Sequence, residues 1–186
     1  MTTPIFNLPN LVTILRMALS PFLVLAIVDK RFGWAVLLFA LAGLSDLLDG
    51  LIARYGKQKT DLGAMLDPVA DKILLGSIFV ALTWTSGLFV RIPAWVTVIS
   101  LSRDVMIVVS VATVNLALGR RVFYPTTLGK ASTACQVIVA WIVILLNWLR
   151  QPTPAMYYAF ILTVGLIIGS SVHYVFLAST HKNLPR

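Results

Sequence analysis

The chain has 186 residues, a length that suits one domain. Hydrophobic residues make up 59% of it and charged residues 12%, against about 45–50% and about 25% in a soluble domain. With a mean hydropathy of +0.90, this excludes an ordinary soluble core and makes lipid the solvent for most of the chain. The net charge is +8, but the cations sit in short gaps between apolar runs. That placement excludes a nucleic-acid-binding face and marks topology signals and contacts with anionic headgroups.

Six segments are long enough to cross a bilayer, which takes about 17–25 helical residues. They are 10–28, 33–54, 62–86, 93–118, 128–149 and 154–178. Helix is the expected state, because backbone polar groups in lipid must pair within their own segment. The predicted fold is all-α: a polytopic bundle of six transmembrane helices forming a single membrane domain over 1–186. In the first segment Pro9-Asn10 predicts a helix start with Asn10 as the N-cap. Asn10, Thr13 and Arg16 follow at i, i+3 and i+6. Either this face caps and anchors the helix or it lines a polar site. Arg16 interrupts the first apolar run and no basic region precedes it, so a cleavable signal peptide is not expected. Cys135 is the only cysteine, which rules out an intramolecular disulfide and suggests a packing role.

Orientation follows from the gaps. On the N-terminal side they carry Arg54, Lys57, Lys59, Arg120, Arg121, Lys130, Lys182 and Arg186; on the other side, Lys30, Arg31, Arg91 and Arg150. The larger group predicts that the N-terminal side is cytoplasmic. Both termini would then face the cytoplasm from a cell inner membrane.

The acids are the most informative residues. There is no glutamate, and five of the seven aspartates lie between positions 46 and 71. Asp46, Asp49, Gly50 and Ala53 occur at i, i+3, i+4 and i+7, on one face near the end of the second segment. Gly63, Asp67 and Asp71 occur at i, i+4 and i+8 in the first turns of the third. A short loop joins the two, so they are expected to be antiparallel neighbours whose four carboxylates meet at cytoplasmic depth. One Asp at the centre of a membrane helix costs about 2.5–3.5 kcal/mol on the insertion scale, and four together repel. Protonation, pairing with cations or bound metal could relieve this. Arg54 and Lys72 are close in sequence, but two cations do not neutralise four acids. An all-oxygen ligand set suits a hard divalent ion, Mg²⁺ or Mn²⁺, and a pair of such ions is a common arrangement for phosphoryl chemistry. A polar network gluing helices, or the ion path of a small ion-coupled transporter, is the rival reading. The two differ in whether a phosphoryl group is transferred or cations flow.

The pattern D-x2-D-G-x2-A-R-x8-G-x3-D-x3-D resembles the signature of the CDP-alcohol phosphatidyltransferases. It is met without departure by Asp46, Asp49, Gly50, Ala53, Arg54, Gly63, Asp67 and Asp71. The resemblance implies six membrane helices, a homodimer, and transfer of the phosphatidyl group of CDP-diacylglycerol to an acceptor hydroxyl with release of CMP. It implies that Asp46, Asp49, Asp67 and Asp71 bind two metal ions, with Asp71 also the general base. Asn10, Thr13, Gly50, Ala53, Arg54, Thr60 and Gly63 would line the donor site.

The wider chain looks most like the CMP-forming cardiolipin synthases of this family, whose acceptor is phosphatidylglycerol. Phosphatidylglycerolphosphate synthases, which use glycerol 3-phosphate, come next. Residues 6–16, FNLPNLVTILR, resemble the start of both, and residues 102–106, SRDVM, resemble the first group. Arg103, Lys130 and Arg121 are the expected acceptor contacts. Arg103 could instead pair with Asp104, and Arg121 could serve topology. Many of the second group carry another lysine where this chain has Ser132. One cation fewer suits a phosphodiester acceptor over a phosphomonoester.

Overall fold

The computed structural model describes the backbone of residues 8–56, 61–118 and 127–180 and the side chains of 15–45, 70–109 and 127–172. Among these residues there are six helices and no strand: α1 (Leu8–Val28), α2 (Phe32–Gly56), α3 (Asp61–Trp84), α4 (Ala94–Leu118), α5 (Thr127–Leu149) and α6 (Met156–Thr180). Each matches one expected segment, with ends displaced by a residue or two. The start of α1 needs a correction. The helix begins at Leu8, so Asn10 lies within its first turn and is not the N-cap. Pro9 is compatible with this because the first helical N–H groups have no intrahelical partner in any case. Pro21 also sits inside α1 without ending it.

Beside an apolar core, polar side chains are buried and large apolar ones exposed. Arg16, Ser20, Thr97, Ser100, Arg103, Gln136, Asn147 and Thr163 are buried, while Phe22, Leu25, Leu37, Val105, Met106, Ile138, Ile161 and Leu162 are exposed. A protein surrounded by water rarely exposes apolar area on this scale. Among the described residues one helix, Thr127–Leu149, is by itself long and apolar enough to cross a membrane. The apolar stretches Leu15–Val28, Phe32–Ser45 and Met156–Val172 are shorter.

The chain forms two compact units. The first comprises Met1–Arg91 and Ala140–Pro152. Here α1 packs against both α2 and α3. The Arg16–Asp71 and Ser20–Ser77 pairs set α1 and α3 parallel, since both partners advance along the chain. Leu23, Ile27, Ile78 and Leu82 are buried beyond them.

The end of this unit away from Arg16 is closed by three contacts. Asn147, on α5, accepts from the backbone N–H of Phe89 and Val90 at 2.8 and 3.3 Å and donates to the carbonyls of Val90 and Val143 at 2.8 Å each. Gly33, in the first turn of α2, lies against the Trp148 ring. Gly87, with φ +71°, makes the turn after α3 under the Lys30 side chain.

Helices α1 and α5 end in the same way. Arg31 N–H bonds to the Ala26 carbonyl and Lys30 N–H to that of Ile27; Gln151 N–H bonds to the Leu146 carbonyl and Arg150 N–H to that of Asn147. This is the Schellman pattern, whose pivot usually carries glycine. Here the pivots are Lys30, with φ 58°, and Arg150, with φ 55°. A left-handed conformation costs a residue with a Cβ about 1–2 kcal/mol.

The second unit comprises Ile92–Val139 and Thr153–Arg186. Within it α4 packs on α6, and Thr163 Oγ1 lies 3.4 Å from Cys135 Sγ. Cys135 is a partly buried free thiol, in keeping with a packing role.

Candidate active site

Among the four signature aspartates, Asp71 has a described side chain. Arg16 Nη1, on α1, donates to Asp71 Oδ1, on α3, and the two form an ion pair. Their environments differ: the Arg16 side chain is 1% exposed and that of Asp71 is 48% exposed. The arginine is embedded and the carboxylate opens outward. Ser20 and Ser77 continue the polar seam one turn further along, with their hydroxyl oxygens 3.1 Å apart. Arg16 is thus paired across the α1–α3 contact with one of the signature aspartates.

Asn10 and Thr13 lie on α1; Asp46, Asp49, Gly50, Ala53 and Arg54 lie on the C-terminal half of α2; Gly63 and Asp67 lie on α3 with Asp71. The side chains of these residues other than Asp71 fall outside the described residues, as do Thr60 and Arg121 entirely. Among the described residues no group of three metal-ligating side chains occurs. The helix that packs against both carriers of the signature is α1.

In the second unit, buried Arg103 organises α4 against the start of α5. Its Nη1 donates to Asp104 Oδ1 at 3.2 Å and to Thr133 Oγ1 at 3.4 Å, and its Nη2 donates to the Gly129 carbonyl at 3.3 Å. Ser132 and Thr133 hydroxyls donate to the same carbonyl at 2.9 and 3.2 Å. The pair with Asp104 that the sequence allowed is therefore formed. Lys130, next to Gly129, is exposed. Ser132 is fully buried, so a lysine there would enter the helix interface.

Residues 6–170 match the family model described as CDP-alcohol phosphatidyltransferase. The chain belongs to this family.

It is 40% identical over 131 residues to the cardiolipin synthase (CMP-forming) of Rattus norvegicus, covering 70% of this chain and 41% of that protein. It is 37% identical over 142 residues to the cardiolipin synthase (CMP-forming) of Streptomyces coelicolor, covering 71% and 62%. It is 35% identical over 144 residues to the CDP-diacylglycerol–glycerol-3-phosphate 3-phosphatidyltransferase of Salmonella choleraesuis, covering 74% and 76%. The aligned region thus spans about two fifths of the rat protein and about three quarters of the Salmonella one.

For this family member the structure adds two polar residues to which the sequence reading gave no role. Gln136 is 1% exposed, and among the described residues neither its Oε1 nor its Nε2 has a hydrogen-bond partner. Ser100 Oγ and Arg103 Nε are likewise buried without one. Leaving such a group unmade costs about 1–3 kcal/mol. Ser100 stands one turn before Arg103 on α4, and Gln136 one turn after Thr133 on α5. The only sequence signal was a polar residue inside an apolar segment.

Proposed function

We propose that this protein is a membrane-embedded phosphatidyltransferase that moves the phosphatidyl group of CDP-diacylglycerol onto an acceptor hydroxyl. The observation that carries this reading is Asp71, half-exposed at the end of the aspartate signature and held there by an arginine buried in a neighbouring helix. The acceptor oxygen bonds to the lipid-side phosphorus, the bond from that phosphorus to the oxygen bridging to CMP breaks, and CMP leaves. The acceptor proton passes to the Asp71 carboxylate. Arg16 keeps that carboxylate oriented, which makes it a positioning residue.

The donor set of Asp46, Asp49, Asp67 and Asp71 is carboxylate throughout and fits Mg²⁺ or Mn²⁺. Divalent ions held there would offset the pyrophosphate charge and the charge gathering on departing CMP. Asn10, Thr13, Gly50, Ala53, Arg54, Thr60 and Gly63 line the donor pocket in this reading.

All six helices span the bilayer, with both termini and the aspartates on the cytoplasmic side. Lengths of 21 to 25 residues at about 1.5 Å per residue support this, as do the large apolar side chains exposed around a core that also buries polar ones. The single family match over 6–170 supports one functional domain, and the family resemblance supports a homodimer.

The acceptor is phosphatidylglycerol, giving cardiolipin. The 40% identity to the rat CMP-forming cardiolipin synthase over 131 residues supports it, as does neutral, buried Ser132 beside exposed Lys130. Gln136, Ser100 and Arg103 Nε offer hydrogen bonds to its glycerol hydroxyls, and Lys130 and Arg121 are the cations assigned to its charge. Glycerol 3-phosphate is the second reading, favoured by the fuller coverage of the Salmonella relative.

The test supplies purified protein, CDP-diacylglycerol and Mg²⁺ or Mn²⁺ with each acceptor in turn, and weighs the lipid product by mass spectrometry. Cardiolipin with equimolar CMP is expected. Phosphatidylglycerolphosphate alone would move the acceptor to the second reading, and absence of CMP with either would overturn the activity.

A further inference from the structure

A second charged feature lies at the end of the first unit away from Asp71. A recess of about 470 Å³ is lined by Lys30, Arg31, Trp34, Trp148 and Arg150, among others. From Gly33 on its rim to Asp46 on the same helix is about 20 Å at 1.5 Å per residue. Three of the lining residues are cations brought from two separate gaps in the sequence. Among the described residues none of the three side chains makes a hydrogen bond or ion pair, and Asp29 pairs with none of them. The remaining cation of that side, Arg91 between α3 and α4, is differently placed: its guanidinium donates to the Thr83 carbonyl at 2.5 and 3.2 Å.

Two observations argue against a merely solvated charge run. Lys30 and Arg150 occupy left-handed helix-ending positions that favour glycine, and both line the one recess. The recess also has an apolar surround. Trp34 and Trp148 are exposed, and exposed Phe22, Leu25 and Val28 run away from it along α1 and Leu37 along α2. A ligand matching both parts carries a negative head and an apolar tail. Tryptophans beside cations are also the side chains that sit at headgroup depth in a bilayer.

We propose that this recess binds the phosphate of an anionic phospholipid whose acyl chains lie along the exposed faces of α1 and α2. It is separate from the reaction site and, with the topology given above, lies on the opposite face of the membrane. The lipid held there is not turned over. The proposal rests on the membrane reading and does not depend on the reaction.

The test uses native mass spectrometry of the full chain in detergent with EDTA, titrated with phosphatidylserine or phosphatidylcholine. Phosphatidylserine is neither the donor nor the proposed acceptor. Wild type is expected to retain it at least tenfold better than phosphatidylcholine. Each cation near a headgroup is worth about fivefold in affinity, so Lys30→Gln/Arg31→Gln/Arg150→Gln should lose at least tenfold of that binding. Lys30→Gly/Arg150→Gly guards against a folding artefact. It relieves both left-handed pivots, and should melt no lower than wild type while still losing lipid. Unchanged binding in either variant, or equal retention of phosphatidylcholine, would overturn the proposal. So would full displacement by millimolar inorganic phosphate, which would make this a site for soluble anions. CMP formation is measured on the same preparations, so failure of the reaction and failure of this site are read separately.

Discussion

Replacing Asp71 by Asn should destabilise the protein more than replacing its partner Arg16 by Met. The asymmetry comes from burial. Arg16 is 1% exposed and Asp71 48%, so Asp71→Asn leaves a buried guanidinium facing a neutral amide. Removing one member of a fully buried pair costs about 3–5 kcal/mol. Water already reaches Asp71, and Asn still offers an acceptor oxygen, so about 2 kcal/mol is the expected loss. Arg16→Met takes the buried charge away and leaves a carboxylate that can turn toward water, for a loss of about 0–1 kcal/mol. The double variant should resemble Arg16→Met, which implies a coupling of about 2 kcal/mol, the whole of the Asp71→Asn loss.

Unfolding in mixed micelles, followed by tryptophan fluorescence with EDTA present, measures all three. Additive losses, or an Asp71→Asn variant as stable as wild type, would refute the reasoning. Activity should respond differently. Asp71→Asn is expected to lower kcat at least about a hundredfold, as loss of a general base does. Arg16→Met should lower kcat by up to about a hundredfold through misplacement of that base, with KM for CDP-diacylglycerol within about threefold. A change confined to KM would remove Arg16 from its positioning role.

Gln136→Leu should trade function for stability. It removes two buried amide atoms that have no partner, a gain of about 1–2 kcal/mol. The KM for acceptor should rise at least about fivefold, and a more stable variant with unchanged acceptor KM would show that the amide does not read the acceptor. Asn147→Leu should do the reverse. It strips hydrogen bonds from the Phe89 N–H and from both backbone groups of Val90, at about 3 kcal/mol in all, seen as a lower thermal midpoint in micelles; an unchanged midpoint would mean that water replaces the amide at little cost.

What was legible in the sequence divides along physical lines. The six helices could be read because apolar runs of helical length alternate with gaps that carry charge and turn residues. The aspartate signature could be read because eight residues within 26 positions lie on two consecutive helices, where helical spacing alone shows which residues share a face. Arg16 was visible as a charge in an apolar run, but its partner was not. Asp71 is 55 residues away, and only the packing of α1 on α3 joins them. Loop length pointed to α2 against α3 and said nothing of the helix placed against both.

Gln136 and Ser100 illustrate a second limit. Their significance is that they are buried without partners, and burial is a property of neighbouring helices rather than of their own. Lys30, Arg31 and Arg150 illustrate a third. Each reads alone as a topology signal at a helix end. What sets them apart is that two helices end at cations in a conformation suited to glycine, and that both ends open on one recess. A topology signal needs only to lie on the correct side of the membrane. It needs neither that conformation nor neighbours of like charge, so the gathering of these three calls for an anion that topology does not supply.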